Sequence, residues 1–178
     1  AGEDPGLTGE WIFDLVKAIK IETGLAVTLS LGERADDEFA AWREAGADRY
    51  LLRFETSDQS LYEAIHPSLP GRVSDRLALL RRLSELGYEA GSGVMVGIPG
   101  QTWASLAADI VLFRELDLDM IGIGPYLPHP STPLGSGAFP QAARDEQVTG
   151  SEETTTKVVA LARLVRPDAN IPSTTALA

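Results

Sequence analysis

The sequence has 178 residues, a net charge of −11, a pI of about 4.6 and no cysteine. This length suits one domain with a sizeable core. The acidic surface excludes nucleic acid as an expected partner. The lack of thiols excludes disulfides, thiol catalysis and cysteine-bound metals within these residues. No apolar run reaches the roughly 18 residues of a membrane span and no targeting segment is visible, so we expect a cytoplasmic protein without membrane contact.

The first half of the chain alternates helical and extended patterns, and glycine closes most of the elements. In order, the pattern predicts a helix from the Thr8 cap to Gly24, a strand over Leu25–Leu31, a helix over Asp36–Glu44, a strand over Ala47–Thr56, a short helix over Leu61–Ile65 and a helix over Ser74–Leu86. The strand over 47–56 is apolar and β-prone, so we expect it to be buried.

The second half continues the alternation. It predicts a strand over Glu89–Gly97, a helix from the Thr102 cap to about Leu116, a strand over Asp119–Pro125, a helix over Glu152–Val165 and a strand beginning at Ala169–Thr175. The glycines of the strand over 89–97 indicate close backbone approach by a ligand. The connection over 126–150 is rich in Pro, Gly and Ser, and its length is typical of a lid or binding loop.

This alternation predicts right-handed βαβ units and a parallel sheet. Five strands are visible, and Gly2–Asp4 resembles the exit of a sixth. Because a complete eight-unit barrel needs about 200 residues or more, we predict an α/β fold, a partial TIM-type (β/α) barrel of about five to six units that forms one domain over residues 1–178 and is incomplete at both ends. A flavodoxin-like sheet is the alternative, although no phosphate-binding glycine loop follows the first strand.

Two opposite charges, Arg53 and Glu55, lie at the carboxyl end of the buried strand, on the face opposite Tyr50, Leu52 and Phe54. In a parallel barrel this end of each strand meets the ligand. A structural ion pair is the alternative, and the residues of this strand alone leave both interpretations open.

Polar groups recur at the carboxyl ends of the other strands, which predicts a pocket. They are Glu3 and Asp4, Thr28 and Ser30, the turn over 97–102, the segment over 124–129, and Thr174 and Thr175. The guanidinium of Arg53, together with threonine hydroxyls, suits an anionic group, and Glu55 suits a pair of sugar hydroxyls.

Three further polar residues are ambiguous. Arg76 lies one turn into its helix, where its position favours a surface charge over a carboxylate ligand. His66 and His129 lie in proline-rich loops without a second histidine or a carboxylate at ligand spacing, so loop packing is favoured over metal binding.

Several segments together resemble the radical S-adenosylmethionine enzymes of the biotin synthase group, above all the HydE-type [FeFe]-hydrogenase maturases. They are Gly2-Glu3-Asp4, Val27-Thr-Leu-Ser-Leu-Gly32, Arg49-Tyr-Leu-Leu-Arg-Phe-Glu-Thr56, Met95-Val-Gly-Ile-Pro-Gly-Gln-Thr102, Asp119-Met-Ile-Gly-Ile-Gly-Pro125, Pro128-His-Pro130 and Asn170-Ile-Pro-Ser-Thr-Thr-Ala176. Methylornithine synthase and biotin synthase are the alternatives within the group.

The resemblance implies a barrel that binds S-adenosylmethionine and a [4Fe–4S] cluster and performs 5′-deoxyadenosyl radical chemistry, in which the cofactor does the difficult step and the protein orients it. It implies the following S-adenosylmethionine contacts: Glu3 near the amino group, Glu55 on the ribose, Arg76 on the carboxylate and Met95 near the adenine. It places Thr28, Arg53, Thr174 and Thr175 around a small anionic, organometallic iron substrate. Other hydrogenase maturases are the implied protein partners.

The sequence departs from the family at the cluster. The family's three cluster cysteines, spaced C-x-x-x-C-x-x-C, have no counterpart here, and iron–sulfur clusters require thiolates. We therefore expect the cluster-binding N-terminal unit and the last barrel unit to be missing from these 178 residues, which then contain no catalytic or metal-binding residue and are inactive by themselves. Phe54 replaces a histidine common in the relatives and should face away from the barrel interior. A cysteine-free protein that merely binds S-adenosylmethionine or a nucleoside is the non-enzymatic alternative.

Overall fold

The fold is known from a computed structural model that describes residue 4 and residues 6–66, 73–137 and 145–172. Within these ranges six helices accompany a four-stranded parallel sheet. In chain order the elements are α1 Gly9–Thr23, β1 Thr28–Leu29, α2 Asp36–Glu44, β2 Arg49–Leu51, α3 Gln59–Ile65, α4 Arg76–Glu85, β3 Glu89–Val96, α5 Trp103–Glu115, β4 Met120–Pro125 and α6 Glu152–Val165. None of the helices in the described ranges is both long enough and apolar enough to cross a membrane.

The strands follow one another in the sheet in the order β1-β2-β3-β4. A flavodoxin-like sheet changes direction after its first strands, so this order excludes that alternative for the described strands. Because parallel crossovers are right-handed, helices that connect strands in unbroken order lie on one face. The described chain is therefore a curved wall with helices outside and an open inner face, as expected for part of a TIM-type barrel.

The first two strands are shorter than the predicted ranges Leu25–Leu31 and Ala47–Thr56. After Leu51 the ladder to β3 is interrupted by a side chain, because the Ser92 hydroxyl accepts from the Phe54 amide at 3.1 Å and donates to the Leu52 carbonyl at 2.8 Å. Backbone pairing resumes where Glu55 forms a single bridge with Val94. The segment stays beside the sheet, but a hydroxyl replaces part of the regular hydrogen bonding.

Two of the predicted strands lie at the margins of the described ranges. The strand predicted at Ala169–Thr175 appears as a single bridge between Asn170 and Met120, and residues 173–178 lie outside the described ranges. Residues 1–3 of the predicted Gly2–Asp4 strand exit also lie outside them.

The predicted caps Thr8 and Thr102 are confirmed, since their side chains accept from Trp11 and Ser105 amides.

An aromatic cluster of Phe39, Trp42, Tyr50 and Tyr88 joins α2 to β2 beneath the sheet. The ring centroids of Phe39 and Tyr50 are 5.0 Å apart in an edge-to-face arrangement, and all but Tyr88 are fully buried. Edge-to-face pairs add about 0.5–1.5 kcal/mol beyond the burial of area. The Tyr88 hydroxyl donates to the Phe39 carbonyl at 2.7 Å, so this part of the core has one fixed geometry.

The glycines of β3 serve close packing between strands. A Cβ atom on Gly93 would lie 2.0 Å from the Gly122 carbonyl oxygen of β4. The expectation that a ligand requires these glycines is therefore wrong for Gly93, because the neighbouring backbone occupies that space.

Candidate functional site

The candidate site lies at the carboxyl end of β2, where the chain leaves the sheet through a strained turn. Glu55 has a φ of +61° although it is not glycine, and the Thr56 amide donates to the Phe54 carbonyl at 2.7 Å across it. A left-handed conformation costs a non-glycine residue about 1–2 kcal/mol. Strain of this kind is typical of positions where a side chain must point in a required direction.

Arg53 and Glu55 form an ion pair within this turn. The Arg53 Nε lies 3.1 Å from Glu55 Oε1, and Nη2 donates to the Val94 carbonyl at 2.7 Å. The second carboxylate oxygen, Glu55 Oε2, is buried and has no hydrogen-bond partner. The ion-pair interpretation is thus correct but incomplete, because the pair leaves one polar atom, Glu55 Oε2, to a ligand.

Burial raises the pKa of the Glu55 carboxyl above its ordinary value, although the nearby charges of Arg53 and Arg76 partly offset this effect. A hydrogen-bond donor placed at Oε2 would stabilise the ionised form. The Glu55 carboxylate is therefore prepared to accept from hydroxyl groups. Phe54, between the two charged residues, faces outward as expected and packs against Phe113 of α5 with ring centroids 6.0 Å apart.

Arg76, the first residue of α4, belongs to this site and not to the surface. Its side chain is only 11% exposed, so the interpretation from position alone is wrong. Its Nε donates to Glu33 Oε1 at 2.9 Å, its Nη1 donates to the Arg53 carbonyl at 2.6 Å, and its Nη2 contacts His66 Nε2. A guanidinium only donates, so His66 Nε2 accepts and the loop-packing interpretation of His66 misses this contact.

Glu33, four residues after the end of β1, belongs to the site, although the sequence patterns did not indicate it. It is 2% exposed and accepts hydrogen bonds from Ser74 and Arg76. Burial would raise its pKa, but those hydrogen bonds and the Arg76 charge outweigh burial and hold the pKa below its ordinary value. The available signal was positional, because Glu33 follows Gly32 at the end of the predicted strand Leu25–Leu31, at about the level of Arg53 in the neighbouring segment.

Two other proposed site residues lie on the inner face of the wall at different depths. The register pairs Thr28 with Arg49, so Thr28 lies four residues deeper than Arg53, a distance of about 13 Å along extended strands. Met95 pairs with Gly124 near the carboxyl end of β3 and is half-buried. One small anion contacts both Thr28 and Arg53 only if the Arg53 side chain turns deeper into the barrel.

Side-chain amides brace the turn after β3. Gln101 is fully buried; its Oε1 accepts from the Gly97 amide at 2.7 Å and its Nε2 donates to the Met95 carbonyl at 3.1 Å. Gln147, in the connection predicted to be a lid or binding loop, accepts from Gly100 and donates to Ile98. The end of that connection is thus fixed to the turn.

A pocket of about 530 Å³ opens between the end of α3 and the segment after β4. Both histidines line it, together with Tyr126, whose hydroxyl is buried and has no hydrogen-bond partner. His129 Nδ1 accepts from the Ser131 amide at 3.3 Å, which fits loop packing. No group of three or more His, Cys, Asp or Glu side chains within the described ranges is placed to hold a metal ion.

Glu3, Thr174 and Thr175 lie outside the described residues, so their predicted roles remain predictions. The described residues bring Arg53, Glu55 and Arg76 together and add Glu33 to them. They place Met95 on the same face and Thr28 deeper along it.

The sequence profile of the Radical SAM superfamily matches residues 1–113. The [FeFe] hydrogenase maturase subunit HydE of Thermotoga maritima is 47% identical over 177 residues, which cover 99% of this chain and 47% of that protein. The 3-methylornithine synthase of Methanosarcina acetivorans is 30% identical over 176 residues, 97% of this chain and 46% of that protein.

Solved structures share the fold. The crystal structure of methylornithine synthase, PylB, matches with a TM-score of 0.76 and 27% identity, over 96% of this chain and 47% of that one. HydG, a maturase of the [FeFe]-hydrogenase, matches with a TM-score of 0.73 and 22% identity over 96% of this chain and 39% of that one, which shows the fold alone. The chain spans about half the length of the curated relatives HydE and 3-methylornithine synthase.

Proposed function

This chain belongs to the Radical SAM superfamily, and from that premise we propose that it forms the S-adenosylmethionine-binding wall of an enzyme of [FeFe]-hydrogenase maturation. The observation that carries the proposal is the 47% identity to HydE over 99% of the chain. The match to 3-methylornithine synthase covers almost the same residues at 30% identity, which makes hydrogenase maturation the better choice.

The described residues fit the polar groups of S-adenosylmethionine. Glu55 Oε2 is buried without a partner and would accept the ribose hydroxyls. The Arg76 guanidinium would hold the methionine carboxylate, since its planar fork matches carboxylate geometry. Met95 on the inner face would lie beside the adenine, and Glu3 would hold the amino group.

The small anionic substrate would bind deeper on the same face, between Arg53 and the threonines Thr28, Thr174 and Thr175. We propose an organometallic iron species as this substrate and other hydrogenase maturases as partners. The residues of this chain would bind and orient S-adenosylmethionine and the substrate, and their carboxylates and guanidinium groups would place charges at fixed positions. None of them is proposed as a nucleophile or as a proton donor.

The residues present do not fit a [4Fe–4S] cluster, because such clusters need thiolates and the sequence contains no cysteine. In this proposal the cluster ligands lie outside these 178 residues.

Genetic rescue tests the activity. The whole gene is introduced into a host whose [FeFe]-hydrogenase is inactive because its own HydE is deleted, with the Thermotoga maritima gene as a positive control. We expect hydrogen evolution to return. No hydrogen evolution beside a working control would overturn hydrogenase maturation.

Methylornithine synthesis is the second candidate, favoured by the TM-score of 0.76 to that enzyme. Its test is the formation of 3-methylornithine in the same cell extracts. Product formation without hydrogenase rescue would establish the second candidate.

Ligand binding tests the role of Glu55. The whole protein should bind adenosine more tightly than 2′,3′-dideoxyadenosine. Glu55→Gln should reduce the ratio of these two affinities about tenfold or more, as expected for charge-assisted hydrogen bonds. Glu153→Gln, at an exposed carboxylate paired with Lys157 on α6, is the control and should keep the preference. An undiminished preference in Glu55→Gln would contradict the ribose assignment.

A further inference from the structure

We propose that Glu33 is the positioning residue for Arg76 and that it controls the affinity for the methionine carboxylate through the orientation of that guanidinium. This inference rests on the proposed function, in which Arg76 holds the carboxylate. Nothing in the family resemblance assigns a role to Glu33.

Contacts from several parts of the chain converge on one oxygen of Glu33. Its Oε1 accepts from the Arg76 Nε at the start of α4, from the Ser74 hydroxyl before that helix, and from the Tyr62 hydroxyl of α3 at 3.5 Å. The Ser74 and Tyr62 hydroxyls also contact each other at 2.7 Å. The carboxylate is therefore fixed from α3 and from the segment that begins α4.

Arg76 is held in three directions as a result. Glu33 accepts from Nε, the Arg53 carbonyl accepts from Nη1 and His66 accepts from Nη2. Because a guanidinium is planar, contacts at its three nitrogens fix the plane as well as the position of the charge. The Nη1 contact also connects this arrangement to the backbone between Arg53 and Glu55.

Stability alone does not explain this pair. The Glu33 and Arg76 side chains are only 2% and 11% exposed, and an ion pair at such depth usually adds less than a well-packed apolar pair would. Removal of one partner is costly, since it leaves the other charge buried and unpaired. Without Glu33, the guanidinium would turn towards new partners and would lose its orientation for a carboxylate.

A purely electrostatic role predicts the opposite result. If Glu33 only opposed the ligand's negative charge, neutralising it would make the electrostatic potential around Arg76 more positive and would tighten carboxylate binding. Positioning depends on the hydrogen bonds, which a glutamine side chain can still accept through Oε1. Glu33→Gln and Glu33→Ala therefore separate the two roles.

The experiment measures affinity by calorimetry on the whole protein, with S-adenosylmethionine and with 5′-methylthioadenosine, which lacks the amino acid carboxylate. Glu33→Ala should weaken S-adenosylmethionine binding about tenfold or more, as for the loss of a charge-assisted contact, and should leave 5′-methylthioadenosine binding unchanged. Glu33→Gln should remain within about threefold of the unaltered protein for both ligands. In an Arg76→Ala background, Glu33→Ala should have no further effect.

Asp48→Asn is the matched control. Asp48 is a carboxylate that pairs with Lys20 at 3.0 Å and accepts from the Val27 amide, at the opposite end of the strands. This variant should keep both affinities. If Glu33→Ala does not fold, Ser74→Ala removes one hydrogen bond to Glu33 and should show a smaller loss with the same selectivity.

Equal weakening of both ligands in Glu33→Ala, or tighter S-adenosylmethionine binding in Glu33→Gln, would overturn the positioning role. If the unaltered protein binds 5′-methylthioadenosine as tightly as S-adenosylmethionine, Arg76 holds no carboxylate, and the proposed ligand assignment fails together with this inference.

Discussion

Asp109 should make the stability of the fold depend on pH below neutrality. This residue of α5 is fully buried, its Oδ1 accepts from the Ser57 amide and hydroxyl at 2.6 Å each, and its Oδ2 is buried without a partner. Burial raises the pKa of Asp109 from 3.8 to about 6, because the Ser57 hydrogen bonds offset only part of the desolvation. Ser57 follows the Glu55 turn closely, so Asp109 also anchors the site.

The sign follows from proton linkage. The folded state binds the proton more tightly than the unfolded state, so the stability contribution of Asp109 is fully present below pH 3.8 and is lost as the pH rises to about 6. At about 1.4 kcal/mol for each tenfold change in proton affinity, the loss amounts to about 3 kcal/mol. Above about pH 7 no further change is expected from this group.

The assay is urea unfolding of the whole protein and of Asp109→Asn between pH 4 and pH 8. Asparagine keeps an acceptor for Ser57 but does not ionise. The free energy of unfolding of the unaltered protein, relative to the variant, should therefore fall by about 2.5 kcal/mol from pH 4 to pH 7, since a small part of the contribution is already lost at pH 4. Asp36→Asn is the control with the opposite sign, because Arg82 lowers the pKa of Asp36 and its exposed carboxylate favours the folded state at higher pH. A difference between the unaltered protein and Asp109→Asn that does not change with pH would refute the reasoning.

Three substitutions and one control substitution test the packing that supports the site, each by the free energy of unfolding in urea. Gly93→Ala should cost about 3 kcal/mol or more, because its Cβ would lie 2.0 Å from the neighbouring carbonyl oxygen, whereas Gly122→Ala meets its nearest atom at 3.8 Å and should be nearly neutral; equal costs would contradict this. Gln101→Ala leaves the Gly97 amide without its acceptor and should cost about 2 kcal/mol or more. A neutral result would show that water replaces the Gln101 side chain as the acceptor. Tyr88→Phe should cost about 0.5–1.5 kcal/mol through the loss of one hydrogen bond to the Phe39 carbonyl, and no cost would show that this hydrogen bond contributes nothing.

The sequence by itself determined the class of fold and the family. Periodicity and caps are local properties, so the helices that begin after Thr8 and Thr102 are found where the sequence predicts them. The alternation of helices and strands correctly predicted a parallel barrel wall, since that pattern has few other solutions. The motifs at the strand ends correctly indicated the radical S-adenosylmethionine family, because each combines a turn with a particular polar residue.

The tertiary structure alone decided which residues meet. Arg76 is buried only because α4 begins beside the ends of β1 and β2. Since Arg76 and Glu33 are far apart in the sequence, no sequence pattern indicated that they pair. The Ser92 hydroxyl of the neighbouring strand β3 bonds to the backbone after Leu51 and so shortens β2. Position 93 must be glycine because the Gly122 carbonyl, and not a ligand, occupies the space of a Cβ atom. In each case the decisive partner lies on another element, and sequence patterns do not encode the register between distant segments.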